Sequence, residues 1–296
     1  MKIKSLIIGL GKIGLKYDIN KRSEIKTHFK VLSTSKYFNI VGLVDKDKST
    51  IKSIPKDFRK LFFKDYIEAI KKTRPKLIVI AIPTNVHYQV LKDIEKFKFV
   101  KFIVCEKPLG TSYIDFQKQN FSKEFKKKIV INYIRNYLPL TNKLLGFIKK
   151  DLSKNITKIE VKYSKSLLNN GSHFISLMLK TFGYLSLSKT FFRSDKSNFI
   201  LRKNNIYFYF TCTESKNNSF SLFLKRNIKI DFTNNGYYIQ IRNSKNNLKF
   251  LNPEMQFYQY FFYDELYNKI LANKNFSNLI LAINVLKIIN MIKNEI

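Results

Sequence analysis

Hydrophobic and polar positions along the chain fall into two textures that meet near residue 132. Before it, short apolar runs alternate with stretches whose apolar residues recur every three or four positions. Strands are predicted at Ile3–Ile8, Ile40–Asp45, Leu77–Pro83, Phe102–Cys105 and Ile129–Tyr133, with a weaker one near Leu61–Phe63. Helices are predicted at Glu24–Lys36, Tyr66–Thr73, His87–Phe97 and Ile114–Phe125. Leu77–Ile82 and Phe102–Cys105 are apolar at every position, as in strands covered on both faces. The alternation therefore predicts an α/β unit, a parallel sheet with crossover helices.

After Tyr133 long, aromatic-rich, alternating segments take over. Ile156–Tyr163, Ile206–Thr213, Ser219–Lys225, Lys229–Phe232 and Tyr237–Arg242 read as strands of a large, mostly antiparallel open sheet. Asn234-Asn235-Gly236 marks a hairpin between the last two, because Asn and Gly accept positive φ. One helix, Ser172–Phe182, precedes this sheet and another, Ser277–Lys293, closes the chain. There are no repeats and no Pro/Gly/Ser-rich linker, so two closely joined domains are expected, residues 1–131 and 132–296.

Composition narrows the class. With 296 residues, 45% of them apolar and 15% aromatic, the chain can build proper cores and is not of disordered type. No apolar run reaches the roughly 18 residues a membrane span needs. Lys2 and Lys4 ahead of a short apolar run resemble a signal peptide, but Lys12 interrupts the run and no small-residue cleavage site comes after it. Cys105 and Cys212 make no disulfide framework, which fits a reducing, cytoplasmic setting, and Cys105 is expected buried and inert. His28, His87 and His173 lack ligand-like spacing, so no metal site is expected.

The net charge of +34, from 55 Lys and Arg against 21 Asp and Glu, would by itself point to a polyanion partner. Lysine, however, greatly outnumbers arginine and is spread along the whole chain with abundant Asn and Ile. A reader of nucleic acid concentrates its basic groups and uses arginine for bidentate contacts. Codon bias toward A/T accounts for the excess at least as well, so nucleic acid is not the expected partner.

Gly9-x-Gly11-x-x-Gly14, with Lys12 and Ile13 inside it, follows the first predicted strand. Glycines so spaced allow a tight turn and close backbone approach to a pyrophosphate, the Rossmann dinucleotide pattern. A second apolar strand ends in Asp45, whose carboxylate can accept from the adenosine ribose hydroxyls and repel a 2′-phosphate. NAD is thereby favoured, while Lys46 and Lys48 leave room for NADP. Asp45 falls later than the usual spacing of about 20 residues. An extended turn over Leu15–Lys26 followed by a helix would absorb the difference. The plainer alternative is that Asp45 starts a loop and caps the residues just after it.

Four further segments join the glycine loop. They are Ile82-Pro83-Thr84-Asn85-Val86-His87, Cys105-Glu106-Lys107-Pro108-Leu109-Gly110, Asn132-Tyr133-Ile134-Arg135 and Asn169-Asn170-Gly171-Ser172-His173-Phe174-Ile175. In order and spacing the chain resembles the family of glucose–fructose oxidoreductase, inositol dehydrogenase and rhizopine-catabolism proteins (Gfo/Idh/MocA) over residues 3–183. The resemblance implies a Rossmann domain and an α/β domain with an open sheet, the active site lying between them. It implies that Pro83, Asn85 and His87 line the nicotinamide side and that Glu106 faces the cofactor. Lys107 is implied to hydrogen-bond the reacting oxygen and His173 to take the hydroxyl proton, with Arg135 and Asn169 as further substrate contacts. Homodimers or homotetramers are also expected from it.

Two positions depart from the family pattern. Many relatives carry aspartate where this chain has Asn169, and Ser176 also replaces a common aspartate. Asparagine cannot raise a histidine's basicity by charge. A branch with Tyr163, Lys165 and the Asn-Asn-Gly-Ser-His run shares the first substitution, and through it the resemblance implies surface-polysaccharide sugar biosynthesis. The leading expectation is hydride transfer between a sugar or nucleotide-sugar secondary alcohol and NAD(P). Its rivals are a catalytically silent dinucleotide-binding scaffold and a polyanion-binding protein.

Overall fold

The computed structural model describes residues 2–21, 23–151, 156–191 and 194–293. The chain forms two compact units, Met1–Asn132 with Gln256–Ile280, and Tyr133–Met255 with Leu281–Ile296.

The first unit is built on a parallel sheet of β1 (Ile3–Ile8), β2 (Phe38–Val44), β3 (Phe62–Phe63), β4 (Leu77–Ile80), β5 (Phe102–Cys105) and β6 (Ile129–Ile131). Their spatial order is β3-β2-β1-β4-β5-β6. The order reverses between β1 and β4, and ligands of open α/β sheets bind at the carboxyl ends beside such a reversal. All four residues of β4 are buried completely, as strands covered on both faces must be. The crossover segments carry α1 (His28–Thr34), α2 (Tyr66–Thr73), α3 (His87–Glu95), α4 (Tyr113–Lys118) and α5 (Lys123–Lys126).

Two helices differ from expectation. The one expected from Glu24 begins only at His28, because the buried Asp18 takes the preceding backbone for itself. Its carboxylate accepts from Lys26 N at 2.6 Å, from Thr27 N at 2.9 Å and from the Thr27 hydroxyl at 2.6 Å. Thr27 then caps α1 by accepting from Lys30 N. The helix expected over Ile114–Phe125 is two, broken where Asn120 adopts φ +47° and Ser122 caps the second. Phe116, Phe121 and Phe125 all bury, so the apolar rhythm runs on across the break and conceals it from the sequence.

Residues Gln256–Ile280 return to this unit although the sequence expectation assigned them to the second domain. Ile25 N donates to the Gln256 carbonyl at 2.9 Å, and the rings of Tyr37 and Tyr267 stack at 3.8 Å. Asn278 donates to Ile131 O and accepts from Ile131 N at 2.8 and 2.7 Å, so its side chain does for edge strand β6 what a neighbouring strand would.

The second unit holds an eight-stranded sheet. Its strands are β7 (Ile156–Ser164), β8 (Ser186–Thr190), β9 (Phe199–Lys203), β10 (Ile206–Thr213), β11 (Ser219–Leu224), β12 (Ile228–Thr233), β13 (Tyr238–Arg242) and β14 (Asn247–Leu251). They run in the order β14-β13-β12-β11-β7-β10-β9-β8, antiparallel except for β7 with β10. Register places Ile159 between Phe208 and Leu222, and Val161 between Phe210 and Phe220, so one face is continuously apolar. Helices α6 (Pro139–Asp151) and α7 (Ser172–Phe182) precede most of the sheet, and α7 packs on that face through Phe174 on Phe220 and Phe182 on Phe208. The expected hairpin closes β12 to β13, with Asn234, Asn235 and Gly236 all at positive φ. The helix of the returning segment is α8 (Tyr258–Leu271), and α9 (Leu279–Lys293) ends the described chain.

Helices α6 and α8 and strands β8, β9 and β14 were not expected from the sequence. Strand β14 is exposed at every position and β8 at most, so burial imposes no alternation on them. Helix α8 carries aromatic residues around its whole circumference and shows no stripe. Among the described residues no helix is long and apolar enough to cross a membrane, and no group of side chains could hold a metal ion.

Candidate active site

The expected cofactor residues converge at the carboxyl edge of the parallel sheet. Gly9, directly after β1, adopts φ +96°, and a Cβ there would stand 2.3 Å from the Ala81 carbonyl oxygen after β4. A Cβ on Gly14 would lie 2.1 Å from the Gly9 carbonyl oxygen. These two glycines are needed for the turn and for its close packing. Gly11 differs, since a Cβ there would meet nothing within 4 Å. The loop thus leaves room above Gly11 where a ligand's phosphates can approach the backbone, and the residues present fit a dinucleotide.

After Gly11 the chain makes one π-type turn, Lys12–Lys16, with Lys12 exposed, Ile13 half-buried and Gly14 buried. Turns and irregular backbone over residues 17–21 and 23–27 then precede α1 at His28. Asp45 comes directly after β2, and its carboxylate accepts from Leu10 N at 2.9 Å and from Asp47 N at 3.0 Å. The side chain both begins its own loop and ties that loop to the glycine turn. A carboxylate has capacity to accept more than these two bonds.

Pro83 and Asn85 are exposed on the short turn after β4. His87, expected beside them as a nicotinamide contact, is instead completely buried. Its Nε2 lies 3.0 Å from the Ile82 carbonyl and its Nδ1 3.1 Å from the Pro108 carbonyl. Burial pushes the imidazole below its usual pKa against the opposing pull of the two carbonyls. His87 thus lies between the Pro83 loop and the Glu106–Gly110 loop, its neutral ring able to donate to one of the two carbonyls, and shapes the edge from behind.

Glu106 and Lys107 come directly after β5. Lys107 is half-buried, whereas Glu106 is only 8% exposed. One oxygen, Oε1, accepts from Asn132 Nδ2 at 2.7 Å and lies 2.9 Å from His28 Nε2. Burial raises the Glu106 pKa, but the His28 contact, the Lys107 charge and the Asn132 bond outweigh it and hold the carboxyl below its ordinary range. Behind these, His28 Nδ1 lies 2.8 Å from the Tyr263 hydroxyl, and Asn132 Nδ2 donates to Gln259 Oε1 at 3.1 Å. So at least one Glu106 oxygen is turned into the protein and not toward a cofactor. The sequence offers His28 only as a histidine without ligand-like spacing, and nothing local signals Gln259 or Tyr263.

In the second unit Arg135, expected as a substrate contact, is only 9% exposed. Its Nη1 donates to the Asn235 carbonyl of the hairpin at 3.1 Å, and the guanidinium lies 4.7 Å over the Phe174 ring. Asn169 sits exposed in a π-type turn, Leu167–Gly171, that runs directly into α7. Within Ser172–Ser176, the start of α7, His173 alone is not buried, and its ring meets Tyr133 edge-on at 6.0 Å. Ser176, the second departure from the family pattern, is fully buried and accepts from Asn136 Nδ2 at 2.7 Å.

A family model described as oxidoreductase family, NAD-binding Rossmann fold, matches residues 3–133. Over those residues the chain matches the NAD-binding domain of the Gfo/Idh/MocA oxidoreductases. Its cofactor is accordingly a nicotinamide dinucleotide, NAD(P). Solved structures share the fold of both units. A dehydrogenase (MviM) from Clostridium difficile is 17% identical with a TM-score of 0.79, covering 100% of each chain. KijD10, a 3-ketoreductase from Actinomadura kijaniata solved with NADP and TDP-benzene, is 11% identical with a TM-score of 0.79 over 99% of this chain and 98% of its own. A dehydrogenase from Chromobacterium violaceum is 12% identical with a TM-score of 0.77, over 99% and 95%. At these identities the likeness is one of fold, and the Gfo/Idh/MocA assignment rests on the N-terminal match.

Proposed function

We propose that this oxidoreductase moves a hydride between NAD and a secondary alcohol on a sugar or nucleotide-sugar. Lys107 hydrogen-bonds the reacting oxygen and His173 exchanges its proton. The observation that carries the reading is His173, the one accessible imidazole of the three. His28 and His87 are fully buried and committed to internal partners, while His173 stands half-exposed in an otherwise buried first turn. A neutral imidazole accepts a hydroxyl proton near neutral pH. The bound dinucleotide supplies the hydride acceptor. The Lys107 ammonium, beside the Glu106 anion, stabilises charge developing on the oxygen as it becomes a carbonyl. The nucleotide-sugar class is supported by the TDP-benzene in the KijD10 structure.

NAD is favoured over NADP by Asp45, whose carboxylate stands next to the glycine turn. The test is NADH formation, monitored by absorbance, with the purified protein and a panel of sugars and nucleotide-sugars. On the substrate so found, His173→Ala lowers kcat by about 10²- to 10⁴-fold with cofactor affinity retained. Turnover unaffected by that change removes His173 as the base. Asp45→Ala weakens NAD binding and narrows its preference over NADP, and an unaltered ratio removes Asp45 as the ribose ligand.

A further inference from the structure

The second unit has a cleft at one edge of its sheet that the proposed proton and hydride transfers do not use. Strands β7 and β10, the parallel pair of that sheet, end side by side at Ser164 and Thr213. Because they run in one direction, the chain leaves both at the same edge, through Lys165 and through Glu214–Lys216. The segment before β9, with Lys196 and Asn198, adds a third wall, and the three bound a cleft of about 740 Å³, a size usual for small-molecule sites. That wall is tied to both strands: the Tyr163 hydroxyl donates to the Ser197 carbonyl, and Cys212 N donates to Asn198 Oδ1 at 2.8 Å.

No aliphatic or aromatic side chain lines the cleft, so an apolar ligand would have nothing to pack on. Its charge is carried by the exposed Lys165, Lys196 and Lys216 against the one carboxylate of Glu214. Asp195, beside Lys196, faces Lys293 at 4.0 Å instead. Thr213 adds a buried hydroxyl with no hydrogen-bond partner among the described residues, a donor that calls for an acceptor. Ammonium groups bind phosphate as point charges. A phosphate monoester brings about 1.5 to 2 negative charges at pH 7, which three ammoniums beside one carboxylate can balance. The cleft is also joined to the turn that carries the proposed base. Asn170, three residues before His173, donates from Nδ2 to Ser164 Oγ at 2.9 Å, and Ser164 N donates to Asn218 Oδ1 at 2.8 Å.

We propose that this cleft takes the phosphate groups of the substrate, which is then a phosphorylated or nucleotide-linked sugar and not a free one. The inference rests on the hydride transfer proposed above, but occupancy of the cleft can be measured without turnover. Cys212 lines the cleft half-exposed, whereas Cys105 is 0% exposed, so a thiol reagent reports on the cleft. The full-length protein, with NADH at one fixed concentration, is treated with the uncharged reagent iodoacetamide in about 0.15 M salt. Alkylation of Cys212 is followed by peptide mass spectrometry with UDP-glucose, glucose 1-phosphate, glucose or sulfate present. Burial raises the Cys212 thiol pKa and the Lys196 charge opposes it, so each variant is compared with itself without ligand.

UDP-glucose or glucose 1-phosphate slows the alkylation, and glucose does not. Whichever ester protects at the lower concentration tells a nucleotide diphosphate from a simple sugar phosphate. Lys165→Gln and Lys196→Gln each raise the concentration for half-protection by about tenfold, with melting temperature and NADH affinity unchanged. Three results overturn the proposal: alkylation unslowed by both esters, equal slowing by sulfate at the same ionic strength, or full protection in the folded variant carrying Lys165→Gln, Lys196→Gln and Lys216→Gln together. Protection without oxidation of any bound sugar would instead defeat the hydride-transfer reading and leave the cleft in place. NADH formation from a free sugar, with Cys212 unprotected by either ester, would do the reverse, so the two failures are distinguishable.

Discussion

The three glycines of the cofactor turn are alike in sequence and different in what surrounds them. Gly11→Ala adds a methyl group to open space, so the melting temperature holds while NADH affinity, read by fluorescence titration, falls. Gly14→Ala drives a methyl into the Gly9 carbonyl and destabilises the fold by about 2 kcal/mol or more, read by urea unfolding. Equal loss of stability in both variants would show that the space above Gly11 is not reserved for a ligand. His87 makes the complementary point. Its place after Pro83-Thr84-Asn85-Val86 was legible as part of the site. Whether the ring faces a ligand or the interior depends on two carbonyls, Ile82 and Pro108, that lie on separate loops of the fold.

At the scale of elements, strand and helix periods were legible wherever a face is buried, as in β4, β5 and β7. They failed where burial gives no pattern, as in edge strands β8 and β14 and helix α8. Polar devices then set the boundaries. Asp18→Ala leaves two backbone N–H groups and the Thr27 hydroxyl without their acceptor. Each such loss costs about 1–3 kcal/mol, so a destabilisation of ~3 kcal/mol or more is expected, with Asp18→Asn milder. Asn278→Ala exposes the edge of β6, and amide exchange at Ile131 accelerates measurably. Protection of Ile131 unchanged in that variant would mean that other contacts hold the edge.

For the whole molecule, a net charge of +34 opposes compaction through self-repulsion. Screening relieves it, so the melting temperature rises as salt is raised from about 0.02 M to about 0.5 M. A flat or falling response would mean that attractive pairs dominate. Acid adds to the strain with a definite sign. Asp231 is raised by burial but lowered further by its bonds to Ser221, Lys229 and Arg242, and Glu106 is likewise held low. Their stabilisation is complete above the ordinary carboxylate range and is lost as pH falls through their depressed values, so acid unfolding sets in below roughly pH 4. The sequence by itself determined the two textures, the parallel sheet, the glycine turn and the positions of Lys107 and His173, because periodicity and short motifs are local. Only the tertiary structure decided that residues 256–280 return to the first unit, that His87 turns inward, and that His28, Tyr263 and Asn132 surround Glu106. Those outcomes depend on buried polar atoms finding partners up to 235 positions away, as His28 finds Tyr263, and a pairing at such separation leaves no mark on the local pattern of either segment.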